Sequence, residues 1–504
     1  MSHTRLLALC RKGGLRRFPR GELVPLTLTS VQLELVQRIV GETNSGRRLV
    51  LAAMEMGTGK TLAALAALCL LRAQNSTGIP IRALFVVPKS TLFDAWRRQL
   101  RHFTRLGVND LRVITYPHLQ TVFLKSWRRS AAGRWEKRAQ HPLLNAHRDL
   151  IVFDESHVLR NPHTILGRAA SIISKKSSRV LCLSGTPVQN GPQDASGHLV
   201  AMGSRSGLED PTSFGKRTSL KIEAVKAFTE RFVYTATLLD AGISLMPKTR
   251  DIIWVEHKFS SEIATQYNQS LAAVQGSRCK SDTTARLKHH MLILRQLCVE
   301  PALFHKYGQE TFNEEARRQT VANPGPKLLA ALACIRNLVY AGHKKIVVVS
   351  EFVSLLDVFK DLARQTFGEE PLAFDGRLSA AVRGKVVNDF LTGNSRLMML
   401  SLGAGAYGIT LAPGPTAMVV LDIWFNPSVH DQIEARIHRP GQTKPVAIHL
   451  LVTKNSVESA ILATHDAKRA CATALVSGSV EEHNVIVHTE AKRIAESCMQ
   501  VTCN

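Results

Sequence analysis

Short runs rich in Val, Ile and Leu recur along the chain in two blocks. In the first block they fall at residues 48–53, 83–88, 150–154 and 180–184, with an apolar helical segment at 61–71 between the first two. The second block repeats the rhythm at 345–350, 372–374, 397–401, 418–422 and 446–452. Near-continuous apolar runs of this length are what strands buried on both faces look like. Their alternation with helical sequence predicts an α/β fold built on doubly wound parallel sheets. Between about 191 and 326 the strand runs thin out and charged, helical sequence takes over. The expected organisation is a basic N-terminal arm at 1–27, a first lobe at 28–230, and a helical insertion or linker at 231–325. A second lobe follows at 326–475 and a tail at 476–504. No tandem repeat or low-complexity tract is visible.

Composition narrows the class. Of 504 residues, 45% are apolar and 21% charged, a globular balance that excludes a disordered or collagenous chain. The 65 Lys and Arg exceed the 40 Asp and Glu by 25, which points to a polyanion partner, either nucleic acid or an anionic membrane. The longest apolar stretch, 62–71, is about half of the roughly 20 residues a span needs, which argues against the membrane. The segment through Arg20 is basic and free of acids, a composition shared by mitochondrial leaders and by arms that lie on phosphates. The nine cysteines are scattered without a CxxC pair, so they read as core thiols of a reducing compartment, with neither a disulfide framework nor a zinc site.

Four strings carry chemistry. Met54-Glu55-Met56-Gly57-Thr58-Gly59-Lys60-Thr61 lies between a strand and a helix. Gly57 and Gly59 permit a tight loop whose backbone N–H groups, with those of Thr58, face phosphates. Lys60 reaches the β- and γ-phosphates and Thr61 offers a hydroxyl to Mg²⁺. Met54 stands where the usual pattern has its first Gly. Asp154-Glu155-Ser156-His157 follows an apolar run, so that Asp154 can hold Mg²⁺ at a strand end while Glu155 orients the attacking water. Ser184-Gly185-Thr186-Pro187-Val188-Gln189-Asn190 is a strand-ending turn of small hydroxyl residues, suited to coupling a nucleotide site to its neighbours. In Asp431–Gln442 the spacing of Gln432, Arg436 and Arg439 predicts one helical face bearing all three, closed by Pro440-Gly441. Two guanidiniums so placed can clamp a phosphoryl group.

In this order the strings resemble helicase superfamily two, and specifically its Swi/Snf branch of DNA-translocating ATPases. The resemblance runs from about Leu28 to Ala460. Asp154–Asn161 is similar to the branch's DEAH-x-L/I-K-N, Leu183–Asn190 to LSGTPxQN, and His438–Gln442 to HRxGQ. Leu294–Cys298 with Pro301 is similar to LRQxCxxP, and Met246-Pro247-Lys248 to LPPK. The compact form is similar to members in large DNA viruses, including the baculovirus global transactivators. So little sequence flanks the motor strings that targeting is expected to come from partners or insertions.

The resemblance implies two RecA-like lobes, with ATP bridging Lys60 and Thr61 on one side and Arg436 and Arg439 on the other. It implies that Gln32 recognises adenine, with Gln432 near the nucleotide from the second lobe. Pro88, Lys89 and Ser90 with Trp96, then Thr115-Tyr116, would meet the DNA backbone. In the second lobe Ser350-Glu351-Phe352 and Asp375-Gly376 occupy the family's early motifs, with Ser350 meeting nucleic acid, and the stretch Ser401–Thr410, with Ser401 and Gly405, would touch both DNA and nucleotide. Departures from the family strings are Met54 for Asp, Thr58 for Leu, Gly403 for Arg and Thr410 for Asn. Duplex DNA, held by its backbone without base readout, is the implied partner, with nucleosomes or other DNA-bound proteins as targets and the nucleus as location. Arg97, Arg98, Arg101, Arg105, Lys125, Arg128, Arg129, Arg134, Lys137 and Arg138, with Trp127 and Trp135, form candidate lining, and 125–138 reads as an inserted basic loop. The expected activity is a DNA-stimulated ATPase that translocates and displaces or remodels bound proteins. A strand-separating helicase and a non-catalytic nucleic-acid-binding regulator are the alternatives. The intact Lys60, Asp154, Glu155, Arg436 and Arg439 weigh against the last.

Overall fold

The apolar runs become strands. The computed structural model describes residues 3–15, 27–41, 47–89, 96, 99–100, 111–189, 193–210, 222–256, 259–275, 283–306, 314–405 and 409–477. Its strands, in chain order, begin with β1 (Arg48–Met54), β2 (Ala83–Val87), β3 (Leu111–Thr115), β4 (Trp127–Arg129) and β5 (Trp135–Lys137). They continue with β6 (Leu150–Phe153), β7 (Arg179–Ser184), β8 (Val233–Ala236) and β9 (Lys248–Val255). The last are β10 (Ile346–Ser350), β11 (Leu372–Phe374), β12 (Leu397–Ser401), β13 (Ala417–Val420) and β14 (Val446–Thr453).

The chain divides into two compact units, Met1–Ser244 with the segment from Lys468, and Leu245–Ala467. The first holds a six-stranded sheet in the order β3-β2-β6-β7-β1-β8, every pair parallel. The second holds a six-stranded sheet in the order β11-β12-β10-β13-β14-β9, again parallel throughout. The middle strands β2, β6, β10 and β12 are buried along their whole length, which is why they carry Val, Leu, Ile, Met and Phe without alternation. The helix Lys60–Gln74 is buried continuously from Ala63 to Leu71. A helix apolar on every side must be covered on every side. Here the sheet lies on one flank and the helices His3–Lys12 and Ser30–Val40 pack on others.

The structure distributes three segments differently from the sequence expectation. Leu6 and Cys10, one helical turn apart, are buried in the first unit's core, and Cys10 Sγ donates to Ala66 O at 3.6 Å. A Cβ at Gly13 would stand 1.6 Å from Cys69 O. The beginning of the basic arm is thus an integral helix, because its apolar stripe outweighs its charge; residues 16–26 lie outside the described residues. The stretch 231–325 is shared out. β8 closes the first sheet beside β1, and β9 pairs in full register with β14. The helices Ser261–Gln275 and Thr283–Val299 bury Tyr267, Leu271, Leu294 and Leu297 in the second unit. Both strands are sheet edges, and the charged sequence of β9 matches its exposure. Finally, the end of the helix Val457–Ser477 belongs to the first unit, where Leu475 is buried and its carbonyl accepts from Thr229 Oγ1 at 3.2 Å. Among the described residues no helix is long and apolar enough to cross a membrane.

Candidate nucleotide site and the arginine-bearing turn

Three of the motif strings leave the same sheet at its carboxyl edge, from β1, β6 and β7, which are neighbours in the order β6-β7-β1. After β1 the chain turns through Gly57 at φ +93° and Gly59 at φ +82°, backbone angles that glycine alone adopts without steric cost. Met54, where the first Gly of the usual pattern would stand, is the buried last residue of β1, so its side chain fills core and leaves the loop free. Thr58 is buried and its Oγ1 donates to Glu55 O at 2.7 Å. Lys60 opens the following helix with Nζ donating to Met54 O at 2.9 Å and Glu55 O at 3.2 Å. Thr61 sits half-buried one residue on.

Gln32 braces this loop. It lies in the first turn of the helix Ser30–Val40, where Thr29 and Gln32 form a reciprocal cap: Gln32 N donates to Thr29 Oγ1 at 3.4 Å and Thr29 N to Gln32 Oε1 at 3.1 Å. The remaining amide nitrogen donates to Thr58 O at 2.8 Å. The residue expected to meet adenine therefore also holds the phosphate loop.

At the end of β6, Asp154 is buried and its carboxylate is held twice. Oδ2 accepts from Trp96 Nε1 at 2.8 Å and Oδ1 from Glu155 N at 3.1 Å. The Tyr116 hydroxyl donates to Asp154 O at 2.6 Å. Burial, reinforced by the neighbouring Glu155 charge, pushes the Asp154 carboxyl up to about 6, against the pull of Trp96 and Lys60. Glu155 adopts φ +49°, a left-handed conformation costing about 1–3 kcal/mol for a residue with a side chain. Strain of this kind persists where the surroundings fix it, and here Oε2 lies 3.4 Å from His157 Nδ1. After β7, Ser184 Oγ accepts from Thr186 N at 3.2 Å, and a Cβ at Gly185 would stand 3.7 Å from Lys60 Nζ, so this turn abuts the phosphate loop. Behind it the buried His198 bonds Pro187 O at 2.8 Å, and burial pushes it down to about 4, so it is neutral.

In the second unit the helix Pro427–Glu434 stops before the arginines. Gln432 is a buried helical residue, whereas Arg436 and Arg439 ride the succeeding turns, which corrects the single helical face drawn from their spacing. The stop is set from outside. Glu434 is buried and receives Lys248 Nζ at 2.8 Å and the Arg250 guanidinium from β9, which tie down the last turn. Gln442 Nε2 donates to Ile437 O at 3.1 Å and Pro415 O at 3.0 Å, and His438 Nε2 lies 2.8 Å from Met246 O. The LPPK-like and HRxGQ-like strings thus meet to shape one turn. Arg436 Nη1 donates to Ile409 O at 3.3 Å, and Arg439 Nη1 to Thr410 Oγ1 at 2.8 Å. Thr410, one of the departures from the family string, is the group that holds Arg439.

The expected DNA-contacting residues divide by environment. Lys89 is exposed, Pro88 is buried, and Thr115 caps the helix Tyr116–Ser126 by accepting from His118 N at 3.3 Å. Ser90, Arg97, Arg98, Arg101 and Arg105 lie outside the described residues. Ser350 is buried with its hydroxyl on Asp422, Ser401 is buried, and a Cβ at Gly405 would meet Ile433 Cδ1 at 2.4 Å. These three belong to the packing of the second unit. Gly403 is exposed, with nothing within 4 Å of where a Cβ would be. Asp375 is buried and its carboxylate accepts from Arg377 N at 2.8 Å, while Gly376 is exposed. Arg295 of the LRQ-like string donates to Asp422 at 3.0 Å and Glu351 at 2.5 Å, and its guanidinium lies over Trp424 and Phe352. The links of Trp96 and Tyr116 to Asp154 escaped the sequence, which offers no local signal for a contact across tens of residues.

A glycine-turned phosphate loop, a strand-end carboxylate pair and parallel sheets define a P-loop type α/β protein. Comparison with known proteins makes this specific. The model of the SNF2-related domain matches residues 31–303, and that of the helicase conserved C-terminal domain matches 330–441, so the chain belongs to the SNF2-related family. It is 27% identical over 430 residues to the mouse (Mus musculus) SWI/SNF-related matrix-associated actin-dependent regulator of chromatin subfamily A member 1, covering 81% of this chain and 40% of that protein. It is 24% identical over 495 residues to human (Homo sapiens) DNA repair and recombination protein RAD54B, covering 88% and 54%. The solved Sulfolobus solfataricus SWI2/SNF2 ATPase core in complex with dsDNA is 21% identical, covers 92% of this chain and 97% of its own, and has a TM-score of 0.38. The chain thus spans about half or less of the length of these two curated relatives.

Proposed function

We propose that this chain is a DNA-stimulated ATPase that moves along duplex DNA and displaces or remodels the proteins bound to it. One observation carries the reading: the loops after β1, β6 and β7 converge at one sheet edge, with Lys60, Asp154 and Glu155 among them. Family membership supports it, as do relatives named for chromatin regulation and for DNA repair and recombination.

The residues fit a nucleotide. The positive φ at Gly57 and Gly59 opens the loop's backbone donors, and Lys60 Nζ rests on two backbone carbonyls that phosphate oxygens would outbid for its charge. The donor set at Thr61 and Asp154 fits Mg²⁺, an oxygen-seeking ion that would neutralise phosphate charge when bound. Glu155, held beside Asp154 by its strained backbone, is assigned to positioning the attacking water. Arg436 and Arg439 are assigned to the transferred phosphoryl group, and Gln32 and Gln432 to the nucleotide. Exposed Lys89 and the basic positions Arg97, Arg98, Arg101 and Arg105 are assigned to DNA phosphates, which gives salt-sensitive binding without base readout. Nucleosomes and other DNA-bound proteins are the proposed targets, and the nucleus the proposed site of action.

The test is turnover by purified variants with duplex DNA, single-stranded DNA and RNA in parallel. Lys60→Ala and Glu155→Gln are expected to abolish ATP hydrolysis while DNA binding persists. Hydrolysis at the wild-type rate in either variant overturns the assignment.

A further inference from the structure

The segment read as an inserted basic loop is an antiparallel hairpin, β4 against β5, and its two tryptophans face inward. Trp127 stacks on Phe123 at 5.8 Å with the rings 3° apart, and Trp135 meets the same ring edge-on at 5.1 Å. Together with the helix Ile165–Ser174 the hairpin frames a cleft of about 680 Å³, floored by Phe123, Trp127, Trp135, Ile172 and Val200. A second hollow of about 330 Å³ continues past Trp127 to Lys137, Lys175 and Lys176.

The charge around the larger cleft is one-sided. Arg134, Arg168 and Lys175 line it, and among the described residues none of the three has a carboxylate within ion-pair distance. The one acid in the lining, Glu209, is spent on its own turn, accepting from Ser206 N at 2.6 Å, Ser206 Oγ at 3.0 Å and Gly207 N at 2.9 Å. The helix beside the cleft has 10 residues, or about 15 Å, room for about four or five extended residues. A phosphate backbone wants an exposed polar track. This is a concave apolar floor with cations at its rim, and one face of Trp127 is already covered by Phe123. An apolar side chain fills such a floor, and flanking carboxylates match the rim.

We propose that this cleft docks a short acidic segment of a partner protein, anchored by one aromatic or aliphatic side chain. The site is separate from the nucleotide pocket and does not depend on the assignment of that pocket.

The experiment uses the full chain and fluorescein-labelled ten-residue peptides of Asp and Glu around a central Phe, Leu or Ala. The same peptides with Lys for every acid, and a labelled dT12, serve as comparisons in fluorescence anisotropy. Saturable binding of the Phe or Leu acidic peptide is expected, with the Ala, Lys and dT12 probes weaker. The double variant Arg168→Glu/Lys175→Glu should lose that binding by at least ~tenfold. The same variant should bind the Lys peptide better, with DNA-free ATP turnover and the thermal melt unchanged. Absence of binding by every acidic peptide overturns the proposal, as does binding unchanged in the double variant. Displacement of the acidic peptide by dT12 with the same residue dependence overturns it in favour of nucleic acid.

Discussion

Replacing Gly59 by Ala separates two reasons for a glycine at one position. The residue sits at φ +82°, where a side chain costs roughly 1–2 kcal/mol. Its added Cβ would also stand 2.2 Å from Gln32 Nε2. Gln32 is a flexible side chain and can retreat, but only by giving up its bond to Thr58 O, now 2.8 Å. A buried carbonyl stripped of its donor costs about 1–3 kcal/mol. The single variant should therefore lose about 2–5 kcal/mol of first-unit stability, together with ATP affinity. In a Gln32→Ala background the obstacle and the bond are already gone, so Gly59→Ala should then cost only the backbone share. Urea denaturation of the wild type, both single variants and the double variant should show a coupling of about 1–3 kcal/mol, well beyond the ~0.5 kcal/mol of independent sites. Additive losses would mean that Gln32 does not close over the loop as drawn.

Trp96→Phe removes a donor to the ionised Asp154 carboxylate, whose protonation is already pushed up to about 6. Losing that donor favours the neutral acid further, so the acid limb of the ATPase pH profile should move to higher pH by about one unit; an unmoved limb refutes the link. Gly403→Arg enters open space and supplies the family's usual cation. It should raise DNA affinity and steepen the slope of log affinity against log salt by about one, measured by anisotropy at several salt concentrations. Lys327 and Glu458 form an ion pair with both side chains fully buried. Lys327→Met should destabilise the second unit by about 3–5 kcal/mol in urea melts, and adding Glu458→Leu should recover much of the loss.

The central strands, the glycine turn after β1 and the strand-end position of the Asp154-Glu155 pair were legible in the sequence because each is a local pattern. A strand buried on both faces must be apolar throughout, and a turn at positive φ must use glycine. β8 and β9 were not legible, since an edge strand has one free side and is permitted charge, as Lys248, Arg250 and Asp251 show. The spacing of Gln432, Arg436 and Arg439 implied one helix because spacing cannot register where a helix is stopped. The stop comes from Lys248 and Arg250 on β9, which clamp Glu434 from far upstream.

The N-terminal segment shows the same division. Its charge is read from composition, while its burial depends on the helix Lys60–Gln74 offering an apolar face for Leu6 and Cys10. By itself, then, the sequence determined which residues could do chemistry and which segments had to be covered. Folding alone set Trp96 and Tyr116 on Asp154, closed Gln32 over the loop, and made two tryptophans part of the floor of a cleft. Those contacts are made by residues distant along the chain, and their geometry exists only once the sheet has brought its edges and loops together.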